Sequence, residues 1–150
     1  MIITEDRITD ESCMVEEFEH ADENEKIIVD TSIWIEFLKN SPIIFPRMQA
    51  LLEDNNVIGV EFIFGELLQG AKTIREKNII NLYWQCLPKA DESSIWLEAG
   101  DFSSENMLLN KGVGLIDCAI IVLSIRNNFK VWTLDKKLKS VLASNQIYEK

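Results

Sequence analysis

The stretch that decides the fold is IIVDTSIWIEFL, residues 27–38. It opens with three aliphatic residues, the composition of a short strand buried on both faces of a parallel sheet. From Ser32 onward the apolar residues recur at helical spacing, which predicts a helix over residues 32–39. Asp30 lies where the strand ends and the helix begins. Because an ionised carboxylate in an apolar setting needs a partner or a cation, Asp30 is the first candidate functional residue.

The rest of the chain repeats this alternation of short apolar runs and longer helical patterns. Further strands are predicted in NVIGV (56–60), within INLYWQCLP (80–88) and in KVWTL (130–134). Helices are predicted around MQALLED (48–54) and over residues 61–76, 91–112, 115–128 and 135–143. Such alternation predicts an α/β domain with a mostly parallel sheet. In sheets of this kind, functional sites form at the carboxyl ends of the strands.

Three more acidic residues stand almost alone in apolar segments: Glu66 in FIFGELLQG, Asp117 in GLIDCAIIVLS and Asp135 in VWTLDKKL. Each has an ordinary structural interpretation: a helix cap for Asp135 and also for Asp30, a solvated helix face for Glu66, and a buried cap or hydrogen bond for Asp117. Thr31 and Ser32 could cap the first helix equally well, which would leave Asp30 free. Taken together, four such residues favour one shared site, and oxygen-rich clusters suit hard divalent cations such as Mg²⁺.

Charge is distributed unevenly along the chain. The net charge is −10, which by itself argues against a nucleic-acid partner. Residues 1–25, however, hold ten acidic residues and one arginine, a net of −9, whereas residues 26–150 hold 15 acidic and 14 basic residues, a net of −1. Without the four isolated carboxylates, the body of the domain is mildly basic and remains compatible with RNA.

Residues 1–25 are predicted to form an acidic extension, and residues 26–150 a single domain. The extension is either a solvated tail or an arm that docks on the body or on a second subunit, and its charge is expected to compete with RNA for basic residues. No apolar run is long enough to span a bilayer, and the first residues lack the pattern of a signal peptide. Three cysteines without a CxxC motif indicate free buried thiols. These features predict a soluble, cytoplasmic protein.

The four acidic segments, in this order, resemble the PIN-domain nucleases, and most closely the VapC-like toxins of toxin–antitoxin pairs. IIVDTSIWIEFL is similar to the family's opening strand, FGELLQGA to its glutamate-bearing helix, GLIDCAIIVLS to its central aspartate segment and VWTLDKKL to its T-x-D strand end. The resemblance covers residues 26–142. It implies a PIN-like three-layer α/β/α fold with a central, mostly parallel twisted sheet.

The resemblance also implies an activity and a set of residues. The expected activity is Mg²⁺- or Mn²⁺-dependent endoribonuclease cleavage that leaves 5′-phosphate and 3′-hydroxyl ends, with a homodimer and a cognate antitoxin as partners. The catalytic and metal-binding residues would be Asp30, Glu66, Asp117 and Asp135. Ser32 and Thr133 would orient the carboxylates, with Thr31 less favoured than Ser32. Seven basic residues are candidates for substrate binding: Lys72, Arg75, Arg126, Lys130, Lys136, Lys137 and Lys139.

Other functions remain open from the residues. A dehalogenase-type phosphatase would need a D-x-D pair, but Asp30 is followed by Thr31 and Ser32. A receiver domain would need paired acidic residues near the first strand and a late lysine at a strand end, but IIVDTS supplies only one acidic residue, Asp30. A PIN-type protein that has lost strong catalysis and serves as a binding partner or scaffold in RNA processing is the main alternative.

Overall fold

The computed structural model describes residues 25–149, in which seven α-helices alternate with three short strands. The strands are β1 (Ile27–Val29), β2 (Val57–Ile58) and β3 (Lys130–Trp132). The helices are α1 (Thr31–Leu38), α2 (Phe45–Glu53), α3 (Glu61–Gly70), α4 (Ile74–Cys86), α5 (Ile95–Glu105), α6 (Leu115–Asn127) and α7 (Lys136–Val141). Apart from Glu25, the predicted acidic extension lies outside the described residues, so its two interpretations stay predictions.

The three strands form a parallel sheet in the order β2-β1-β3. Ile28 pairs with Ile58 on one side and with Val131 on the other. Every residue of β1 is buried, which explains why the central strand is a continuous aliphatic run rather than an alternating one. Because the strands are parallel, the residues that follow β1 and β3 meet at one edge of the sheet.

Helices enclose this sheet in a three-layer α/β/α arrangement. An aromatic cluster joins α1, α3 and α4, with the ring of Trp34 centred 5.1 Å from Phe64 and 5.6 Å from Tyr83. On the other side α5 packs against α6, which also contacts β3. Seven consecutive residues of α6, Cys118–Ser124, are buried, as expected for a helix that is apolar on all sides. The predictions of an α/β fold with a parallel sheet and of a central apolar helix are confirmed.

Three predicted elements are wrong. The helix predicted over residues 91–112 is shorter, because α5 covers only Ile95–Glu105 and a separate 3₁₀ turn, Leu109–Lys111, follows. Residues 80–88 form no strand, because α4 continues through them to Cys86, and only an isolated bridge from Gly59 to Lys89 follows. The single helix predicted over residues 61–76 is two helices. The chain turns extended at Ala71 and Thr73, and the Thr73 side chain accepts the N–H of Glu76 to start α4. The threonine that looked like a helix-interior residue is therefore a helix cap.

Within residues 25–149, no helix is long and apolar enough to cross a membrane. Cys118 is a buried free thiol, as predicted. Cys86, by contrast, is disulfide-bonded, so the prediction of free thiols is wrong at that position.

Candidate active site

The four carboxylates lie in one region although they belong to different elements. Two follow strands, one lies in the first turn of a helix and one lies midway along a helix. Asp30 follows β1 directly, and Asp135 follows β3 after two intervening residues. Asp117 occupies the first turn of α6, where an acidic residue is stabilised by the positive end of the helix dipole. Glu66 lies midway along α3. Residues separated by up to 105 positions in sequence are thus brought to the carboxyl edge of the sheet.

Asp30 is the most constrained member of the site. Its side chain is only 8% exposed and accepts three hydrogen bonds: from the Thr31 N–H at 2.8 Å, the Ser32 hydroxyl at 3.1 Å and the Thr133 hydroxyl at 2.6 Å. Asp30 is also the N-cap of α1. The expectation that Thr31 or Ser32 would cap this helix and leave Asp30 free is therefore wrong, since both hydroxyls are used elsewhere. The three donors satisfy the oxygens of this buried carboxylate and fix its orientation.

Hydroxyl groups link the carboxylates to one another. Thr133 donates to Asp30 and accepts the backbone N–H of Asp135 at 3.0 Å. Thr31 donates to Oε1 of Glu66 at 3.1 Å. Ser32 and Thr133 therefore both donate a hydrogen bond to Asp30. The contact of Thr31 with Glu66 was missed, because the sequence gives no sign that α3 crosses the start of α1.

Asp117 carries the strongest electrostatic signature. The pKa of Asp117 is raised from 3.8 to about 6, most of all by burial and further by the negative charges of Asp135, Asp30 and Glu66, while the positive charge of Lys137 opposes the rise. Each of the other three carboxylates is therefore close enough to act on Asp117. Neither oxygen of Asp117 accepts a hydrogen bond from any residue in the described part of the chain. A half-buried carboxylate without donors and with three like charges nearby favours a proton or a cation as its partner.

Glu66 and Asp135 are each engaged through one oxygen. Burial raises the pKa of Glu66, the hydrogen bond from Thr31 lowers it, and the charge of Asp30 raises it again. Asp135 is the N-cap of α7, and its Oδ1 accepts the N–H groups of Lys137 at 2.8 Å and Leu138 at 3.3 Å. Capping and site membership are thus compatible at Asp135, because a carboxylate has lone pairs on both oxygens.

The donor set fits a hard divalent cation in its chemistry. All four side chains offer oxygen, and Asp117 together with the second oxygens of Glu66 and Asp135 has no donor among residues 25–149. The side chains do not form a ready-made cage, however: among the described residues, no three acidic, histidine or cysteine side chains form a group that could hold a metal ion.

Residues 27–142 match the sequence model of the PIN domain. The chain belongs to the PIN-domain family. The prediction made from the four acidic segments is thereby confirmed, and so is the three-layer fold that it implied.

One known protein is similar to this PIN domain in sequence, and one solved structure is similar to it in fold. It is 26% identical over 127 residues to Ribonuclease VapC32 of Mycobacterium tuberculosis, with 81% of this chain and 94% of that protein covered. It also superposes on a chain of VapBC2 from Rickettsia felis, whose crystal structure was determined with a DNA fragment from their promoter. There the TM-score is 0.63 at 21% identity, covering 82% of this chain and 96% of the other. The second likeness concerns the fold alone.

The seven candidate substrate-binding residues lie at different distances from the four carboxylates. Arg126 lies nine residues beyond Asp117, about 13 Å along the same helix, and binds Glu98 and the carbonyl of Asp91. Lys130 begins β3, at the edge of the sheet opposite the carboxylates, and pairs with Glu25. These two basic residues therefore do not join the acidic site of the PIN domain. Lys72 and Arg75 flank the start of α4, and three lysines lie on α7: Lys136, Lys137 and Lys139.

Proposed function

We propose that this PIN domain is a metal-dependent endoribonuclease that acts as the toxin of a toxin–antitoxin pair. The observation that carries the proposal is Asp117, a half-buried carboxylate with unused oxygens and three other carboxylates in electrostatic range. A site of this composition is suited to hydrolysis of an anionic phosphodiester only when a cation offsets its charge. The similarity to Ribonuclease VapC32 supports RNA as the substrate.

The proposed cofactor is Mg²⁺ or Mn²⁺, held by Asp117 and Asp30 with Glu66 and Asp135 contributing directly or through water. Such an ion supplies charge neutralisation at the phosphoryl oxygens and lowers the pKa of a bound water. The protein's part is to hold the ligands. Thr133, Ser32 and the Thr31 N–H fix the Asp30 carboxylate, and the Thr31 hydroxyl fixes Glu66. Ligands oriented in this way keep their geometry when the cation binds.

In the proposed reaction a water oxygen forms a bond to phosphorus and the bond from phosphorus to the 3′ oxygen breaks. One proton of the water passes to a carboxylate of the site or to solvent, and the 3′ oxygen takes up a proton as it leaves. The products are a 5′-phosphate and a 3′-hydroxyl end. Glu66 and Asp135 are the candidate acceptors, because each has an oxygen without a donor among residues 25–149 and need not bind the cation directly.

The proposed partners are a cognate antitoxin and a second copy of the chain, in the cytoplasm. The R. felis structure contains VapBC2 and promoter DNA, which supports an antitoxin partner here. A small DNA-binding protein encoded next to this gene would support the toxin role. The disulfide at Cys86 is unusual for a reducing compartment. Counting the free thiols of protein extracted from cells under acid-quenched conditions tests the location: three free thiols agree with it, and a persistent disulfide argues against it.

The direct test is cleavage of labelled RNA by the purified full chain with Mg²⁺ or Mn²⁺. The wild type and Asp101→Asn, an exposed aspartate on α5, should cleave equally, whereas Asp117→Asn should lose at least about 100-fold in rate, since a proposed ligand of the cation is removed. EDTA should abolish cleavage by every variant. Equal cleavage by wild type and Asp117→Asn, or cleavage that persists in EDTA, would contradict the proposal.

The alternative is a catalytically weak PIN domain that binds partners in RNA processing. One observation favours it: the four carboxylates do not form a closed ligand group in the described part of the chain. Calorimetric titration with Mn²⁺ separates the two functions. A functional nuclease should bind Mn²⁺ in the micromolar to low-millimolar range and lose that binding in Asp117→Asn. A scaffold with a decayed site should show no saturable binding in either protein.

A further inference from the structure

The basic residues near the carboxylates are not equivalent. Three of the seven candidates are held in ion pairs with acidic side chains: Arg126 with Glu98, Lys130 with Glu25 and Lys139 with Glu149. A cation that already neutralises a carboxylate has less charge to offer an incoming phosphate. Lys137 differs, because its ammonium has no hydrogen bond or ion pair with any residue between 25 and 149.

Lys137 is also placed at the site by its backbone. Its N–H is donated to Oδ1 of Asp135 at 2.8 Å, so the residue is fixed in the first turn of α7, next to the carboxylate that caps this helix. The positive charge of Lys137 is close enough to Asp117 to lower the pKa of that group. The ammonium therefore lies within electrostatic range of Asp117 but forms no ion pair with Asp117 or Asp135.

Gly112 makes room for this ammonium. It ends the short 3₁₀ turn Leu109–Lys111, two residues before the N-cap of α6, with φ of 75°. A methyl group added at Gly112 would lie 3.2 Å from Nζ of Lys137. That separation is tighter than ordinary van der Waals contact, so a side chain at position 112 would move the ammonium by a few tenths of an ångström. Glycine adopts the left-handed backbone here without strain and leaves the ammonium its space.

We propose that Lys137 is a catalytic residue, which binds a non-bridging oxygen of the scissile phosphate, and that Gly112 is the positioning residue that lets it do so. The proposal rests on the proposed ribonuclease function. As the water attacks, negative charge builds up on the phosphoryl oxygens, and an ammonium that is already in place stabilises it without further reorganisation. The flexible four-carbon stem suits a point charge that follows the phosphate from binding to cleavage.

The first test compares single-turnover cleavage by Lys137→Met, Lys136→Met and Lys39→Met with the wild type. All three variants lose one positive charge, and Lys39 is an exposed lysine at the end of α1. Lys137→Met should reduce the maximal rate about 10- to 100-fold, which is less than or similar to the loss of one oxyanion-hole donor. Lys136→Met should at most weaken RNA binding, and Lys39→Met should match the wild type.

RNA affinity in EDTA gives a readout that does not depend on cleavage. If Lys137 acts on the transition state, Lys137→Met should bind RNA within about threefold of Lys136→Met while its maximal rate is far lower. Equal maximal rates for these two variants would overturn the proposal, because the lysine would then contribute only to general attraction. Absence of cleavage by the wild type would instead refute the proposed ribonuclease function, so the two failures are distinguishable.

Gly112→Asn tests the positioning role. Asparagine tolerates a positive φ, so this substitution adds a Cβ beside Nζ with little backbone strain. It should lower the maximal rate severalfold in the presence of Lys137 and cause no further loss in Lys137→Met. Thermal denaturation of each variant checks that the domain is folded. Additive losses in the double variant would show that Gly112 acts independently of the lysine, and would refute the positioning role.

Discussion

Asp117→Asn should stabilise the metal-free protein at neutral pH, although it removes the residue on which activity is expected to depend most. The pKa of Asp117 is raised from 3.8 to about 6, and each unit corresponds to about 1.4 kcal/mol. A rise of two units would give about 3 kcal/mol, but Asp117 is only half-buried, and solvent screening reduces this to about 1.5 kcal/mol. Loss of a favourable charge–dipole contact at the start of α6 offsets up to about 1 kcal/mol. The net gain expected is about 1 kcal/mol.

The stability gained by Asp117→Asn should depend on pH. The folded protein binds a proton at Asp117 more tightly than the unfolded chain does, so stability falls as pH rises from about 4 to about 6. The advantage of Asp117→Asn should therefore be absent below pH 4, grow through this window and remain constant above pH 6.5. Subtracting the free energy of unfolding of wild type from that of Asp117→Asn at each pH cancels the contribution of the titrating groups that both proteins contain.

Urea denaturation in EDTA at pH 3.8, 5, 6 and 7.5 measures the effect, with Asp101→Asn as the matched exposed control. Saturating Mn²⁺ should reverse the order of stability, since only the wild type gains the binding free energy, about 2.7 kcal/mol at 100 times the dissociation constant. If Asp117→Asn were less stable than wild type in EDTA at pH 7.5, or equally stabilised at every pH, the raised pKa of Asp117 and its cause, burial together with nearby negative charges, would be refuted.

Three further predictions concern the same site. Thr133→Val should destabilise the protein by about 1–3 kcal/mol in urea denaturation and lower RNA cleavage, because buried Asp30 loses its shortest hydrogen bond; unchanged stability would contradict this. Mn²⁺ affinity measured by calorimetry should fall about tenfold for each pH unit below about 6, since the proton on Asp117 competes with the cation; equal affinity at pH 5 and 7 would exclude the competition. Removal of residues 2–25 should raise RNA cleavage most at low salt, where charge repulsion is least screened; an equal effect at 50 and 500 mM salt would point to a non-electrostatic role.

Much of the fold could be predicted from the sequence because burial leaves a clear pattern. The run Ile27–Val29 is aliphatic because β1 is covered on both faces, and α6 is apolar on all sides because it is packed between β3 and α5. The wrong strand at 80–88 has the same origin, since an apolar segment rich in aromatic residues suits a buried helix face as well as a strand. Only packing against Trp34 and Phe64 decides that Tyr83 and Trp84 belong to a helix.

The identities of the four carboxylates were likewise predictable, because each one is an exception to the apolar composition around it. Whether each carboxylate caps a helix, acts as a ligand or does both was not predictable. The sequence could not distinguish a capping aspartate from a ligand, and the structure shows that Asp30 and Asp135 cap helices while still facing Asp117. Lys137 was one of seven equal candidates until the ion pairs of three others and its own approach to Gly112 and Asp117 separated it.

The sequence by itself thus determined the fold class, the family and the four acidic residues, because hydrophobic periodicity and isolated charges are local properties of a chain. Tertiary structure alone decided the hydroxyl network from Thr31, Ser32 and Thr133, the raised pKa of Asp117 and the position of Lys137. These features depend on distances between residues up to about a hundred positions apart. Such distances are set by strand order and helix packing, which no local pattern records.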